Sequence, residues 1–207
     1  MSAKKKLLIL DRDGTIIAAP PEDYQVDSLE KLAFLPGVIR ALYQLRKQGD
    51  FHWVMITNQD GMGTEVFPEE TFWAPHNKMM QMLAGEGIEF EEVLIDRTFK
   101  ADNAPTRKPG TALLSHYLIG EYDLENSIVV GDRPSDIQLA SNMGAKGILL
   151  GRSTDDQDDG YDLRGELADT LILETESWEE IVACILGGLT RTARVERNTL
   201  ETKIQVV

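Results

Sequence analysis

Short apolar runs recur along the chain, and the stretches between them repeat apolar residues every three or four positions. A run of three or four apolar residues is typical of a short strand that is buried on both faces. Six short strands are therefore predicted. The runs are Leu7–Leu10, Trp53–Ile56, Val93–Ile95, Ile128–Val130, Ile148–Leu150 and Leu171–Leu173.

The stretches between the runs predict helices. The first helix is expected to begin at Pro36 and to end before Gly49. The second is expected over 77–84, with Pro75 at its start or at a kink. Further helices are expected over 113–118, 137–143 and 178–186. The alternation of strand and helix indicates an α/β fold, a doubly wound and mainly parallel sheet of about six strands.

Composition narrows the class of protein. The 207 residues suffice for one α/β domain, and no apolar run approaches the ~20 residues of a membrane span. The formal charge of −14 argues against nucleic acid and against an anionic membrane as partner. Cys184 is the only cysteine, which excludes an internal disulfide and fits a cytoplasmic protein.

Two carboxylates follow the first predicted strand. Asp11 and Asp13 are two residues apart, and Gly14-Thr15 turns the chain directly after them. Open α/β sheets place their ligand sites at the carboxyl ends of the strands. There one carboxylate can attack and the other can move a proton, while a metal ion lowers their repulsion. The alternative is a strand that ends in a solvated Asx-type turn.

Three later polar groups occupy similar places, beyond a strand or at the start of a helix. Thr57–Gln59 and Gly131–Asp136 each follow an apolar run, and Arg107–Pro109 precedes a helix-like stretch. Taken alone, Lys108 would be a solvated residue before a proline. Asp136 has two interpretations: it orients Lys108 or metal-bound water, or it caps the following helix.

The order of acid pair, hydroxyl, lysine and acid pair resembles the four motifs of the haloacid dehalogenase (HAD) superfamily of aspartate-nucleophile phosphatases. The resemblance implies that Asp11 is the nucleophile and that Asp13 is the general acid and base. It implies that Lys108 neutralises charge, and that Thr57 and the Asn58 amide hold phosphoryl oxygens. The expected substrate is a small-molecule phosphate ester.

The same resemblance implies a Mg²⁺ cofactor held by the Asp11 carboxylate, the Asp13 backbone carbonyl and Asp132. Neither interval between the motifs has room for a large cap domain. Substrate choice is therefore expected to come from the loops 18–27, 61–75 and 96–107.

This branch of the superfamily usually binds a structural zinc ion before its Arg-Lys-Pro motif. The loop 96–106 lacks cysteine and histidine, so we expect no zinc, and expect Phe99, Pro105 or the charges of Lys100 and Asp102 to shape it.

The segments 21–27, 67–80 and 131–140 are similar to the histidinol-phosphate phosphatase half of the bifunctional histidine-biosynthesis enzyme. Residues 191–206 resemble the opening strand of imidazoleglycerol-phosphate dehydratase, which follows the phosphatase in that enzyme. We therefore expect a phosphatase domain over 1–188 and the truncated start of a dehydratase domain over 189–207. The expected reaction is Mg²⁺-dependent hydrolysis of L-histidinol phosphate. The alternatives are a sugar phosphatase, such as one for heptose bisphosphate, and a non-catalytic domain that tethers the dehydratase.

The remaining polar features are interpreted as structural. The acidic tract 155–160 is expected to be a solvated loop rather than a calcium site, because EF-hand spacing is absent. His76 is expected to cap a helix or to lie on the surface. His52 and His116 are assigned to a strand and a helix, without a catalytic role.

Overall fold

A six-stranded parallel sheet forms the centre of the fold. The structure, a computed structural model, describes residues 4–21, 24–151, 160–187, 195–198 and 203–206. The sheet has the order β3-β2-β1-β4-β5-β6, which confirms the predicted doubly wound α/β fold. Its strands are β1 (Lys6–Leu10), β2 (Phe51–Asn58), β3 (Glu92–Asp96), β4 (Ile128–Gly131), β5 (Lys146–Leu150) and β6 (Leu171–Thr175).

Helices cover both faces of this sheet. They are α1 (Val38–Gln48), α2 (Glu69–Gly85), α3 (Pro134–Met143) and α4 (Trp178–Gly187), with short 3₁₀ helices at Lys100–Asp102 and Ala112–Tyr117. The first helix begins at Val38 rather than at Pro36, because Gly37 adopts a left-handed conformation with φ of 78°.

The prediction for the second helix was wrong at its start. Helix α2 begins at Glu69, and Pro75 lies inside it. Glu69 and Glu70 place negative charge in the first turn, which favours initiation there. The buried face continues from Phe72 through Pro75 to Met79. Burial along this face outweighs the backbone hydrogen bond that the proline removes. Part of the predicted loop 61–75 is therefore helix.

The helix predicted over 113–118 is instead the 3₁₀ helix Ala112–Tyr117. In a 3₁₀ helix, residues three apart share a face. Leu114 and Tyr117 are accordingly buried, whereas Leu118 is exposed. The apolar residues here were interpreted with the wrong repeat.

The two faces of the sheet form separate apolar cores. Leu8 and Leu10 of β1 face the core that α1 and α4 cover, and Leu7 and Ile9 face the core that includes residues of α3. Successive side chains of a strand point to opposite faces, so a run of four apolar residues serves both cores. This burial on both faces explains why uninterrupted apolar runs predicted the strands.

Strand β1 lies at the point where the strand order reverses, between β2 on one side and β4 on the other. Leu10 is in register with Met55 of β2 and with Val130 of β4. The residues that follow these strands therefore meet at one edge of the sheet, where open α/β sheets bind ligands.

Beyond α4, two short strands pair with each other. β7 (Val195–Asn198) and β8 (Lys203–Val206) form an antiparallel pair. The tail was predicted to contain an opening strand, and it contains this pair. Most of the acidic tract, residues 155–159, lies outside the described residues. Within the described ranges, none of the helices has the length and apolarity needed to cross a bilayer.

Candidate active site

The first acidic residue of the chain's leading motif forms a buried ion pair. Asp11 follows β1, and its backbone N–H donates to the Val130 carbonyl at 2.9 Å. The Lys108 Nζ lies 2.7 Å from Asp11 Oδ1 and 2.8 Å from Asp136 Oδ1. All three side chains are buried. A single lysine is thus paired with two carboxylates at the carboxyl edge of the sheet.

Asn58, at the end of β2, holds the backbone of Lys108. Its Oδ1 accepts from the Lys108 N–H at 3.0 Å, and its Nδ2 lies 3.4 Å from the Lys108 carbonyl oxygen as donor. The Asn58 side chain is therefore engaged with the lysine.

Asp136 performs both of the roles that were considered for it. Its Oδ1 pairs with Lys108, and its Oδ2 accepts from the Arg133 backbone N–H at 3.1 Å. The second bond caps helix α3, whose first residue is Pro134. The cap fixes the carboxylate that orients the lysine.

Asp132 is a third buried carboxylate near Asp11 and Asp136. One oxygen each of Asp11, Asp132 and Asp136 lie within 4.8 Å of one another. Asp132 Oδ1 is buried without a hydrogen-bond partner among the described residues. A buried carboxylate oxygen without a partner is costly, and a cation beside it removes that cost. Oxygen donors of this kind suit Mg²⁺, so the residues fit the expected ion.

Burial and the neighbouring charges shift the pKa values of the cluster. Burial raises the pKa of Asp11 to about 7, although Lys108 acts to lower it. Burial, and then the charge of Asp11, raise the pKa of Asp132 well above its usual range. Burial acts to lower the pKa of Lys108, but Asp11 and Asp136 outweigh it and the pKa is raised. The site has more negative charge than one lysine balances, which favours binding of a cation.

Gly14 allows Asp132 to approach the first motif. The glycine has φ of 75°, and a Cβ built on it would overlap the Asp132 carboxylate. We expect Gly14→Ala to push Asp132 away and to weaken Mg²⁺ binding at least tenfold, a cost of about 1.4 kcal/mol. Titration of activity with Mg²⁺ measures this. Gly87→Ala is the matched control, because Gly87 has φ of 74° with open space around it; equal Mg²⁺ dependence in both variants would contradict the expectation.

Asp13 takes part in a hydrogen-bond network that sequence reasoning missed. The Arg12 Nη1 donates to both oxygens of Asp13, at 2.9 and 3.0 Å, and Gln59 Nε2 donates to Asp13 Oδ2 at 2.6 Å. Arg12 lies between Asp11 and Asp13 in the sequence, and Gln59 directly follows Asn58, so both partners are neighbours of predicted site residues. Which side chains meet across the strand ends depends on the sheet register, and no local pattern reveals it.

Asp96 closes the loop that leads to Lys108, which sequence reasoning also missed. Its Oδ1 accepts from the N–H and the hydroxyl of Thr98, at 2.9 and 2.6 Å, and its Oδ2 accepts from the Thr106 hydroxyl at 2.6 Å. Arg107 then donates to Asp60 and to the Thr98 carbonyl. Of the expected shaping residues, Phe99 packs against Gly61. One buried carboxylate therefore ties together the two ends of the loop.

Removing the hydrogen bond between Thr106 and Asp96 should make the loop 96–107, which lines the cavity, less well ordered. We expect Thr106→Val, which removes the hydroxyl and keeps the shape, to raise KM about three- to tenfold with a smaller change in kcat, a loss typical of one intramolecular hydrogen bond. Thr111→Val is the control, because it lies beyond the loop. Steady-state kinetics measure the effect, and identical KM values for the two variants would contradict it.

A cavity of about 650 Å³ opens over the carboxylates. Loop 18–27 contributes Tyr24 and Gln25 to its wall, and loop 96–107 contributes residues including Lys100 and Arg107. Of the third predicted loop, Phe67 is the residue that lines the cavity. The lining combines the basic side chains of Lys100, Arg107, Lys108 and Arg133 with the carboxylates of Asp11, Asp13, Asp60 and Asp132. The cavity is therefore charge-balanced within an acidic protein, and an added cation would favour an anionic phosphate ester there.

The three histidines have structural surroundings. His76 was expected at a helix cap or on the surface, but it is buried in α2 and stacks on Phe72. Burial lowers the pKa of His76 to about 4, so it is neutral at pH 7. His52 contacts the Tyr117 hydroxyl at 3.1 Å, and His116 pairs with Glu92 at 2.9 Å.

Comparisons with known proteins agree with this geometry. A family model described as HAD-hydrolase-like matches residues 105–172. The crystal structure of D,D-heptose 1,7-bisphosphate phosphatase from B. bronchiseptica, complexed with magnesium and phosphate, aligns with a TM-score of 0.71 and 27% identity. The alignment covers 88% of this chain and 99% of that one. The family model spans Lys108, Asp132 and Asp136, and the α/β fold of this chain is similar to that of HAD-like hydrolases.

Among curated proteins, the chain is similar to the histidine biosynthesis bifunctional protein HisB. It is 50% identical to HisB of Bacteroides fragilis over 206 residues, which are 98% of this chain and 53% of that protein. It is 48% identical to HisB of Spirosoma linguale, with 98% and 54% covered. The chain therefore spans about half the length of the curated relatives that it matches.

Proposed function

We propose that this chain hydrolyses L-histidinol phosphate to L-histidinol and phosphate, as a step of histidine biosynthesis. The main support for the proposal is the buried pair of Lys108 and Asp11, 2.7 Å apart, which lines a cavity of about 650 Å³. The similarity to HisB at up to 50% identity supports the substrate.

In the first step, an Asp11 carboxylate oxygen attacks phosphorus and the bond from phosphorus to the leaving oxygen breaks. The product is an aspartyl phosphate, which divides a difficult hydrolysis into two easier reactions. Asp13 donates a proton to the departing alkoxide, so that histidinol leaves as a neutral alcohol. Lys108 balances the negative charge on Asp11 and on the transferring group.

In the second step, water attacks the phosphorus of the aspartyl phosphate. Asp13, now ionised, takes a proton from this water, and the bond to Asp11 breaks to release phosphate. The Thr57 hydroxyl and the Asn58 backbone N–H hold phosphoryl oxygens in both steps. These roles make Asp11, Asp13, Lys108, Thr57 and Asn58 the proposed catalytic and phosphate-binding set.

We also propose that Mg²⁺ is held by Asp11, the Asp13 backbone carbonyl and Asp132. Asp132 Oδ1 has no hydrogen-bond partner among the described residues, which supports this set. Asp136 Oδ1 instead forms an ion pair with Lys108, and its Oδ2 accepts from the Arg133 N–H. When bound, the ion supplies positive charge beside the transferring phosphoryl group. Gly14 leaves room for the Asp132 carboxylate, and the bond from the Arg133 N–H holds the Asp136 carboxylate in place. We expect no zinc in the loop 96–106.

A heptose bisphosphate phosphatase is the second candidate, because a solved structure with that activity shares the fold at 27% identity. The HisB relatives reach nearly twice that identity, and their match covers 98% of this chain. That coverage takes in most of segment 189–207, which we propose corresponds to the start of the second half of HisB, where a dehydratase domain would follow. A purely tethering role is disfavoured by the complete set of site residues.

The test is phosphate release from L-histidinol phosphate, D,D-heptose 1,7-bisphosphate and p-nitrophenyl phosphate, each with Mg²⁺ and with EDTA. We expect Mg²⁺-dependent turnover, with kcat/KM for L-histidinol phosphate at least about 100-fold above the others, since rejected substrates lose polar contacts in the cavity. A preference for D,D-heptose 1,7-bisphosphate would show that the chain is a heptose bisphosphate phosphatase and contradict the proposed substrate. Absence of turnover with all three would favour the tethering role.

A further inference from the structure

The side chain of Gln59 forms hydrogen bonds with two site residues, but the proposed mechanism gives it no role. It follows β2, its backbone N–H donates to the Asp96 carbonyl at 2.7 Å, and its side chain is buried. Its Nε2 donates to Asp13 Oδ2 at 2.6 Å and to Thr57 Oγ1 at 2.8 Å. One amide group therefore joins two residues of the site.

The partners determine which way this amide faces. Asp13 Oδ2 accepts from the NH₂ group of Gln59, and this bond fixes which way the amide faces. Its second N–H reaches the Thr57 oxygen, and Thr57 is almost completely buried. A hydroxyl that accepts this bond keeps its own proton for another acceptor. Gln59 thus leaves the Thr57 O–H free to donate to a phosphoryl oxygen.

Asp13 is held from two directions. The Arg12 Nη1 contacts both carboxylate oxygens, and Gln59 contacts the oxygen Oδ2. The Arg12 guanidinium is fully buried and lies 4.8 Å from the centre of the Phe72 ring, so it offers a rigid support. With donors on both oxygens, the Asp13 carboxylate has one preferred orientation.

We propose that Gln59 is a positioning residue that orients Asp13 for proton transfer to the leaving oxygen. The proposal rests on the proposed function, in which Asp13 is the general acid. A misplaced acid loses much of the benefit of a preorganised site. The loss is largest when the leaving alkoxide is strongly basic, and it is small when the leaving group needs no proton.

Leaving-group dependence provides the test. For Gln59→Leu we measure kcat/KM, which reports the steps up to departure of the leaving group, with L-histidinol phosphate and with p-nitrophenyl phosphate. We expect the histidinol phosphate value to fall about tenfold more than the nitrophenyl value, a fraction of the 10²–10⁴ typical of general acid catalysis. Gln59→Glu keeps the shape but faces Asp13 with a like charge, so it should not restore the rate.

Two controls separate the possible failures. Gln81→Leu changes an exposed glutamine of α2 and should leave both values unchanged. Asp13→Asn should show the same leaving-group dependence as Gln59→Leu, and more strongly. Equal losses on both substrates for Gln59→Leu, with a selective loss for Asp13→Asn, would overturn the positioning role alone. Equal losses for Asp13→Asn would overturn the acid role itself, and the positioning role with it.

Discussion

Asp11→Asn is expected to lower the rate of phosphate release from L-histidinol phosphate by about 10⁴-fold or more, the scale seen when a covalent nucleophile is removed. The asparagine amide has nearly the same shape but is a poor nucleophile. It also places an NH₂ group or a neutral oxygen against Lys108, 2.7 Å away in the present structure. Initial rates at saturating Mg²⁺ measure the effect.

The variant should remain folded, because it removes one charge from a cluster that already has an excess of carboxylates. Asp50→Asn is the matched control, since Asp50 is exposed and lies at the opposite end of β2. It should retain the full rate. A rate for Asp11→Asn within about tenfold of the wild-type rate would contradict the role of Asp11, because general positioning alone gives losses of that size.

Lys108→Met should reduce both activity and stability. Methionine keeps much of the length of lysine, but it leaves Asp11 and Asp136 buried without their shared cation. Removing one partner of a buried ion pair typically costs about 3–5 kcal/mol in the free energy of unfolding. Phosphate release should fall about 10²–10³-fold, the size of effect expected when one charge-stabilising group is removed. Denaturant unfolding and initial rates measure the two losses.

A double substitution separates these two effects. Lys108→Met with Asp136→Asn removes one of the two carboxylates that the lysine balances, and it should recover part of the lost unfolding free energy. It should recover none of the activity, because the charge beside Asp11 is still missing. If Lys108→Met unfolds at the same denaturant concentration as the wild type, the buried pair does not have the energetic role assigned here.

The strands were predictable because burial on both faces requires apolar residues at consecutive positions of the sequence. Runs such as Leu7–Leu10 serve two cores at once, so they contain no polar positions. Helix boundaries were less predictable. Pro75 signals a break by local chemistry, but the buried face from Phe72 to Met79 overrides it. In the 3₁₀ helix Ala112–Tyr117, a tighter repeat replaces the one that the pattern suggested.

The site was predictable where it depends on position along a strand. Asp11 and Thr57 belong to motifs at strand ends, and strand ends meet at one edge of a parallel sheet. The supporting contacts were not predictable. Gln59 reaches Asp13 across 46 positions of the chain, and Asp96 ties Thr98 to Thr106. Such contacts depend on sheet register and loop path, which have no local signature in a single sequence.

The most direct test of the account is to find where the phosphoryl group goes during turnover. The wild-type protein is mixed with L-histidinol [³²P]phosphate and Mg²⁺, quenched in acid within the first turnover, and digested for peptide mapping. We expect label on the peptide that contains Asp11, and no protein-bound label in Asp11→Asn. Label on a peptide without Asp11, or turnover with no protein-bound label at any quench time, would contradict it.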